Sequence, residues 1–541
     1  MSFKRYIVFL FIIIGCNSKN SNNFSLLKDA FVDWYHKNHI TEKFDYDLSY
    51  FNVKNNALYN DYIEDINRFN LELSQINKND LKYSDSIDYE ILLNIINYLQ
   101  VSNINNKNLD FNINDVIINI YNSLFYIINN NDRPDFEKII NLENHLTDVM
   151  KYLDISKDRI NSDYNSIILD KFNSNYNILL RYIDFIKIDL SINEDNYINL
   201  NNSFDLLLSK MNKYNNWANY DYNYSSTIEY IKNDISSYSL YINELFSNDN
   251  YNYDKSISYL KNKSKTLNNE IFNESLKIYL NFNDEPIWVD NSDTLDVVNW
   301  VLSNKIKSNT FSKNDLIGNI SSNYRNIVNF YKGVSSEKID TSLSFIRIRE
   351  NYEIVNDYYY LNNNFIINDE LYFYPLNDYY SINLIFEKIF SMHNIYGSLN
   401  NHYNELRTIE NDFYTLGLSL FLYDLYVNNI NGDSSLSKIV FYLELLKNIE
   451  IAILQDLYID QVDKKGILKS LESKVFLSKI ESENIFVDAF ELKNFHIEQL
   501  LTYFHLLSLY EKDCLLSGKY TMGEFLDKIF NYGYVNYYTI K

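Results

Sequence analysis

Glycine and proline are scarce in this sequence. It holds 10 glycines and 3 prolines in 541 residues, whereas an average protein has about 7% glycine and about 5% proline. Large sandwiches, barrels and doubly wound sheets need many tight turns, which these two residues favour. The scarcity disfavours such folds and predicts long helices joined by polar loops.

Cysteines and long apolar runs are also few. The cysteines are Cys16 and Cys514, and the apolar run nearest the N-terminus, residues 7–14, is eight residues long. A helix needs about 20 apolar residues to span a bilayer, so this run is too short for a retained anchor. Cys514 lies within a helical pattern next to two leucines, which favours a structural thiol over a nucleophile.

Positive charge is in deficit. The chain has 49 basic and 72 acidic residues and a net charge of −23. Such a chain repels phosphate backbones, so nucleic acid is excluded as a partner.

The N-terminus has the pattern of an export signal. Lys4 and Arg5 precede the apolar run, which ends directly before Gly15 and Cys16. The four residues 13–16 resemble a bacterial lipobox, in which the cysteine is lipidated and becomes the new N-terminus. We therefore predict a signal peptide at 1–15, lipidation at Cys16 and a flexible polar tether at 16–23. Attachment to the outer membrane, facing the periplasm, is the expected location, with the membrane as a partner through the lipid.

Amphipathic helical patterns begin at Phe24. Leu27, Phe31, Trp34 and Tyr35 fall on one face of a helix. Similar runs occur at 87–99, 136–153, 168–190 and 227–246. We treat 24–340 as an N-terminal helical region and 341–541 as a C-terminal region.

One stretch departs from helical spacing. Short β-type runs occur between residues 343 and 375, before helical spacing resumes at 382. The expected fold class is therefore mainly α with one small β-sheet near 343–375. Near the C-terminus, Thr521 and Glu524 form a capping-box pattern that predicts a helix start.

A sheet followed by a histidine-bearing helix is where zinc peptidases carry HExxH, because residues four apart on a helix can share a metal. This chain has no HExxH. His393 and His402 would lie on opposite faces of a continuous helix, so they could share a metal only across a break in that helix.

From residue 343 onward, the order of motifs resembles the bacterial family called domain of unknown function 885, which is placed among zincin-like metallopeptidases. That family has a tyrosine-rich strand region, a His-Glu-x-x-Pro-Gly-His-His helix, a Glu-Gly-Trp-Ala-Leu-Tyr-Ala-Glu helix, an Arg-Leu-Val-Val-Asp segment and a final Phe-Asp-Leu helix. The corresponding segments here are 358–375, 393–399, 416–424, 452–456 and 520–533. The resemblance implies a zincin-like helical scaffold.

The departures from the family pattern fall on the residues that catalysis needs. His393 retains the first histidine, but the general-base position holds Asn394 and the second histidine position holds Leu399. The carboxylate positions of the Glu-Gly-Trp motif hold Leu416 and Tyr423. Leucine cannot bind zinc, and a neutral amide cannot deprotonate a zinc-bound water. These five degenerate cleft positions predict no catalytic residue and no metal ligand.

Three hypotheses follow. The first is a catalytically inactive metallopeptidase-like lipoprotein that binds peptide or a protein partner and needs no cofactor. The second is an active peptidase with zinc in a non-standard site, for example one rebuilt from His402, Glu405 and Glu410. The third is a glycan-binding outer-membrane lipoprotein of the starch-utilisation type.

Overall fold

The computed structural model describes most of the helical regions of the chain. The residues it describes are 20–38, 56–105, 113–129, 134–157, 166–190, 197–221, 253–282, 294–308, 315–335, 345–348, 350–351, 358–361, 364–367, 377–386, 406, 412–430, 434–457, 464–479, 481–482 and 496–532. Cys16, His393, Asn394, Leu399 and His402 lie outside these ranges, as do the signal peptide, most of the tether and the run at 227–246.

The described residues are mainly helical, as the scarcity of glycine and proline predicts. The helices are α1 (Asn20–Asn38), α2 (Asn56–Ser74), α3 (Tyr83–Asn105), α4 (Ile113–Asn129), α5 (Asp135–Lys157), α6 (Ser166–Asp189), α7 (Ile198–Asn216), α8 (Tyr253–Phe282), α9 (Thr294–Val301), α10 (Leu316–Val334), α11 (Asp378–Leu384), α12 (Asp412–Asn429), α13 (Ser434–Leu457), α14 (Lys464–Lys474), α15 (His496–Tyr510) and α16 (Met522–Tyr532). Within the ranges given above, no helix is both long and apolar enough to cross a membrane.

Three short strands lie in the segment where the sequence predicts a sheet. They are β1 (Phe345–Ile348), β2 (Tyr358–Leu361) and β3 (Asn364–Ile367), arranged in the order β1-β3-β2. β3 pairs with β1 in parallel, with Phe345 opposite Asn364, and with β2 antiparallel, with Tyr358 opposite Ile367. β1 also contacts α10.

The described residues divide into two compact units. One contains those within 1–82, 95–234 and 349–356, and the other contains those within 83–94, 235–348 and 357–541. Helix α3 therefore contributes its first half to the second unit and its second half to the first.

The first unit is built on four packed helices. Within α4–α7, α4 packs on α5 and α6, and α7 also packs on α5 and α6. The ring of Tyr182 lies 4.9 Å from that of Tyr121, and the buried amide of Asn175 donates to Asn114 Oδ1 at 2.9 Å. The predicted apolar face of α1 belongs to the same unit, where Phe31 and Trp34 are buried against α2.

The second unit has α12 and α13 at its core. α12 packs on α13 and α15, and α13 packs on α8, α11 and α15. Ser264 of α8 donates to the buried Glu450 of α13 at 2.5 Å. The buried Asn377 caps α11 by accepting from the backbone of Tyr379 and Tyr380 at 3.0 and 3.1 Å.

The capping box predicted at the last helix is confirmed. Glu524 N donates to Thr521 Oγ1 at 3.2 Å, and Thr521 N donates to the Glu524 carboxylate at 2.8 Å. These reciprocal bonds satisfy two backbone donors that the start of a helix leaves without a partner. They fix the start of α16.

Candidate functional site

Helix α12 is buried around its whole circumference. Every residue from 417 to 427 is buried, and all but a few of them are apolar. A helix that is apolar on all faces belongs in the centre of a core. Asp424 is the ionisable acid in this stretch, and only 7% of its surface is exposed.

Two neighbouring side chains donate hydrogen bonds to the Asp424 carboxyl group. Tyr503 of α15 donates to Oδ2 at 3.1 Å, and Asn428, one turn further along α12, donates to Oδ1 at 2.7 Å. Asp424, Asn428, Tyr503 and the nearby Tyr331 of α10 are named here the Asp424 cluster. It joins three helices of the second unit through polar contacts inside an apolar core.

Burial raises the pKa of Asp424 to about 6, because removal from water disfavours the charged carboxylate. The hydrogen bonds from Tyr503 and Asn428, and the positive charge of Lys438, act in the opposite direction, whereas Glu511 adds to the rise. The pKa of Tyr503 is raised well above its usual value, first by burial and then by the negative charge of Asp424.

The tyrosines beside this cluster are packed as core residues. Tyr331 donates a short hydrogen bond to the carbonyl of Leu422. The ring of Tyr423 stacks on that of Phe386, with centroids 5.1 Å apart, and meets the edge of Phe441 at 5.0 Å. Among the described residues, no group hydrogen-bonds to the buried Tyr423 hydroxyl.

A second buried acid lies in the first turn of α15. Glu498 is 5% exposed, and no donor in the described part of the chain reaches its Oε1. Burial raises its pKa well above the usual range. Removal from water disfavours the charged carboxylate, which is the physical cause of this rise in the pKa of Glu498.

Helices α12 and α15 approach each other closely at Gly417. A Cβ atom at this position would lie 2.5 Å from Thr502 Cβ and 2.6 Å from the backbone oxygen of Gln499. Atoms cannot approach so closely, so α12 needs a glycine here. This packing accounts for the glycine that matches the Glu-Gly-Trp motif, without any catalytic role.

Of the five degenerate cleft positions, the structure places Leu416 and Tyr423, both on α12. Leu416 is half-buried and Tyr423 is 1% exposed. Helix α12 thus carries a half-buried leucine and a core-packed tyrosine at these two positions. No group of three His, Cys, Asp or Glu side chains is placed to hold a metal ion in the ranges described above.

Cys514 is half-buried, and burial together with Asp513 and Glu524 raises its pKa to about 11. A thiol with a raised pKa forms little of the nucleophilic thiolate.

Sequence reasoning assigned no role to Asp424, Tyr503 or Glu498. For Asp424 the signal is an acid inside an unbroken apolar helix, where an isolated charge needs a partner. For Glu498 it is an acid at the start of a second apolar run. Neither pattern identifies the partner.

Comparisons with known proteins find similarity in the fold but not in the sequence. No protein-family model matches the chain, and no curated protein matches its sequence. A solved structure from Shewanella oneidensis, described as "a putative lipoprotein of unknown function", is 13% identical with a TM-score of 0.65, covering 97% of this chain and 99% of that chain. A "putative lipoprotein" from Colwellia psychrerythraea is 10% identical with a TM-score of 0.67, covering 98% of each chain. At these identities the likeness shows a shared fold over almost the full length.

Proposed function

We propose that this protein is an exported lipoprotein, anchored through lipidated Cys16 to the outer membrane with its body in the periplasm. The single observation that carries the proposal is the lipobox pattern ending at Cys16, behind Lys4, Arg5 and a short apolar run. The two solved structures with the same fold, both described as putative lipoproteins, support it.

The helical body, we further propose, acts by binding peptide or a protein partner and not by hydrolysis. The order of its C-terminal motifs supports a divergent relation to domain of unknown function 885 and its zincin-like scaffold. The residues at the motif positions support the absence of catalysis. Asn394 and Leu399 cannot serve as base and ligand, and Tyr423 is packed between Phe386 and Phe441.

Metabolic labelling with radioactive palmitate tests the anchor. Wild type should incorporate label and fractionate with the outer membrane, and Cys16→Ser should lose both properties. Cys514→Ser is the matched control, because it removes the other cysteine of the chain and should still be labelled. Label that persists in Cys16→Ser would contradict the proposal.

The same purified protein is then analysed for bound zinc and screened against a peptide library for capture and cleavage. Capture without cleavage and without stoichiometric zinc is the expected result. Stoichiometric zinc, with cleavage that His393→Ala abolishes, would favour the active peptidase instead. Binding of soluble glycans in place of peptides would favour the glycan-binding lipoprotein.

A further inference from the structure

Two buried acids belong to the helix pair α12 and α15. Asp424 on α12 is 7% exposed, and Glu498 on α15 is 5% exposed. The two helices pack so closely that position 417 of α12 has room only for glycine. Neither carboxyl group can therefore be fully hydrated while the packing around α15 stays closed.

No cation is buried with either acid. Tyr503 on α15 donates to Asp424 Oδ2 at 3.1 Å, whereas no donor in the described part of the chain reaches Glu498 Oε1. Among the residues that the structure describes, no lysine or arginine is buried. A carboxylate that is removed from water is costly unless an opposite charge or enough hydrogen bonds compensate for the loss. Ionisation of these acids therefore opposes the closed packing of α15.

The groups around Asp424 leave its carboxyl as the one that titrates in mild acid. The titratable and charged groups that face it are Tyr331 of α10, Lys438 and Tyr442 of α13, Tyr503 of α15 and Glu511 just beyond α15. Burial raises the pKa of each of these tyrosines, so they stay neutral where Asp424 ionises. The half-buried Lys438 and the acid Glu511 act on the pKa of Asp424 in opposite directions. For Glu498, burial raises the pKa.

We propose that the packing of α15 on α12 is a pH-sensitive junction, which is closed while Asp424 and Glu498 are protonated and opens locally when they ionise. Opening of α15 alone hydrates both carboxylates and exposes less surface than unfolding of the whole second unit. The closed state holds the two protons more tightly than the open state, so a rise in pH favours the open state. The junction therefore tightens in acid and loosens towards neutral pH, whether or not Cys16 is lipidated.

Hydrogen exchange of the backbone amides of α15 in the purified protein, measured at about pH 5 and about pH 7.5, tests the junction. After correction for the intrinsic exchange rate at each pH, exchange should be about tenfold or more faster at the higher pH. Ionisation of Asp424 alone changes the opening equilibrium by about this factor. Low concentrations of urea should hardly accelerate the exchange of α15, because local opening exposes little surface. Exchange of α13 should rise steeply with urea, because it requires global unfolding.

Asp424→Asn/Glu498→Gln should remove the difference in the exchange of α15 between the two pH values. His496 and His505 also belong to α15, and histidine titrates in the same range of pH. Both histidines are unchanged in this variant, so a difference that persists in it would overturn the proposal. Asp296→Asn removes an exposed acid of α9; it is the matched control and should behave like wild type. Circular dichroism checks that each variant is folded.

Two results on the wild-type protein would also overturn the proposal. In the first, exchange of α15 depends on urea as steeply as exchange of α13. In the second, the corrected exchange of α15 is the same at both pH values. Neither measurement needs a variant, so the proposal can be rejected even if the double variant does not fold.

Discussion

Asp424 is an acid that the fold buries at some cost. Its folded pKa of about 6, compared with 3.8 for the free side chain, means that the folded state binds a proton more tightly than the unfolded state. Below the unfolded pKa both states are protonated, and the group has no effect. As pH rises from about 4 to about 6, the unfolded state ionises first, so Asp424 lowers the free energy of unfolding by about 3 kcal/mol.

Asp424→Asn should remove this pH-dependent decrease in the free energy of unfolding, because asparagine does not ionise. Its side-chain oxygen can still accept the hydrogen bond from Tyr503. The urea midpoint of wild type minus that of the variant should therefore fall as pH rises from about 4 to about 6. The charged and titratable groups near Asp424 are Lys438, Glu511, Tyr331, Tyr442 and Tyr503, and they are common to both proteins.

Glu524→Gln is the control of opposite sign. Hydrogen bonds from Thr521 lower the pKa of Glu524, so the stability it contributes is present above its unfolded pKa and lost as pH falls. The urea midpoint of wild type minus that of Glu524→Gln should therefore rise with pH. A difference for Asp424→Asn that does not change with pH would show that this carboxyl group is not perturbed.

At the scale of secondary-structure elements, the contact between α12 and α15 depends on Gly417. Gly417→Ala should lower the free energy of unfolding by about 1–3 kcal/mol, the usual range for overpacking. The added methyl group meets the backbone oxygen of Gln499 as well as Thr502, so no rotamer change relieves the clash. Chemical denaturation measures the effect.

Gly318→Ala in α10 is the matched control. Nothing lies within 4 Å of a Cβ atom at this helical glycine, so alanine should raise the stability by about 0.5–1 kcal/mol through its better helix propensity. If Gly417→Ala were as stable as Gly318→Ala, α12 and α15 would not approach as closely as described.

At the scale of the whole molecule, the net charge is −23. Repulsion between the excess acidic side chains on the folded surface lowers the stability of the folded state. Salt shortens the range of this repulsion to about 10 Å at 0.1 M. The melting temperature should therefore rise when sodium chloride increases from about 10 mM to about 150 mM at neutral pH. Exposed ion pairs such as Lys277 with Glu274 are weakened by salt, but each contributes less than about 1 kcal/mol.

The same salt titration at the pH where the net charge is zero is the control and should show little change. A melting temperature that falls with salt at neutral pH would mean that attractive ion pairs outweigh the net repulsion. The few pairs of this kind among the described residues, several of them between neighbours on one helix, argue against that result.

Local interactions made the helices predictable. The apolar spacing of Leu27, Phe31 and Trp34 predicts the buried face of α1, and the pair of Thr521 and Glu524 predicts the start of α16, because both patterns involve residues within one or two helical turns. The pattern that predicts lipidation at Cys16 is equally local. For this reason these features can be inferred from the printed sequence alone.

The buried polar contacts were decided only by the tertiary structure. Asp424 and Tyr503 are 79 positions apart, and no spacing rule connects them. Gly417 and Thr502 meet because α12 and α15 turn particular faces toward each other. Those faces are selected by the packing of the whole core, which brings the Tyr503 hydroxyl to the Asp424 carboxyl group and leaves room only for a glycine at position 417.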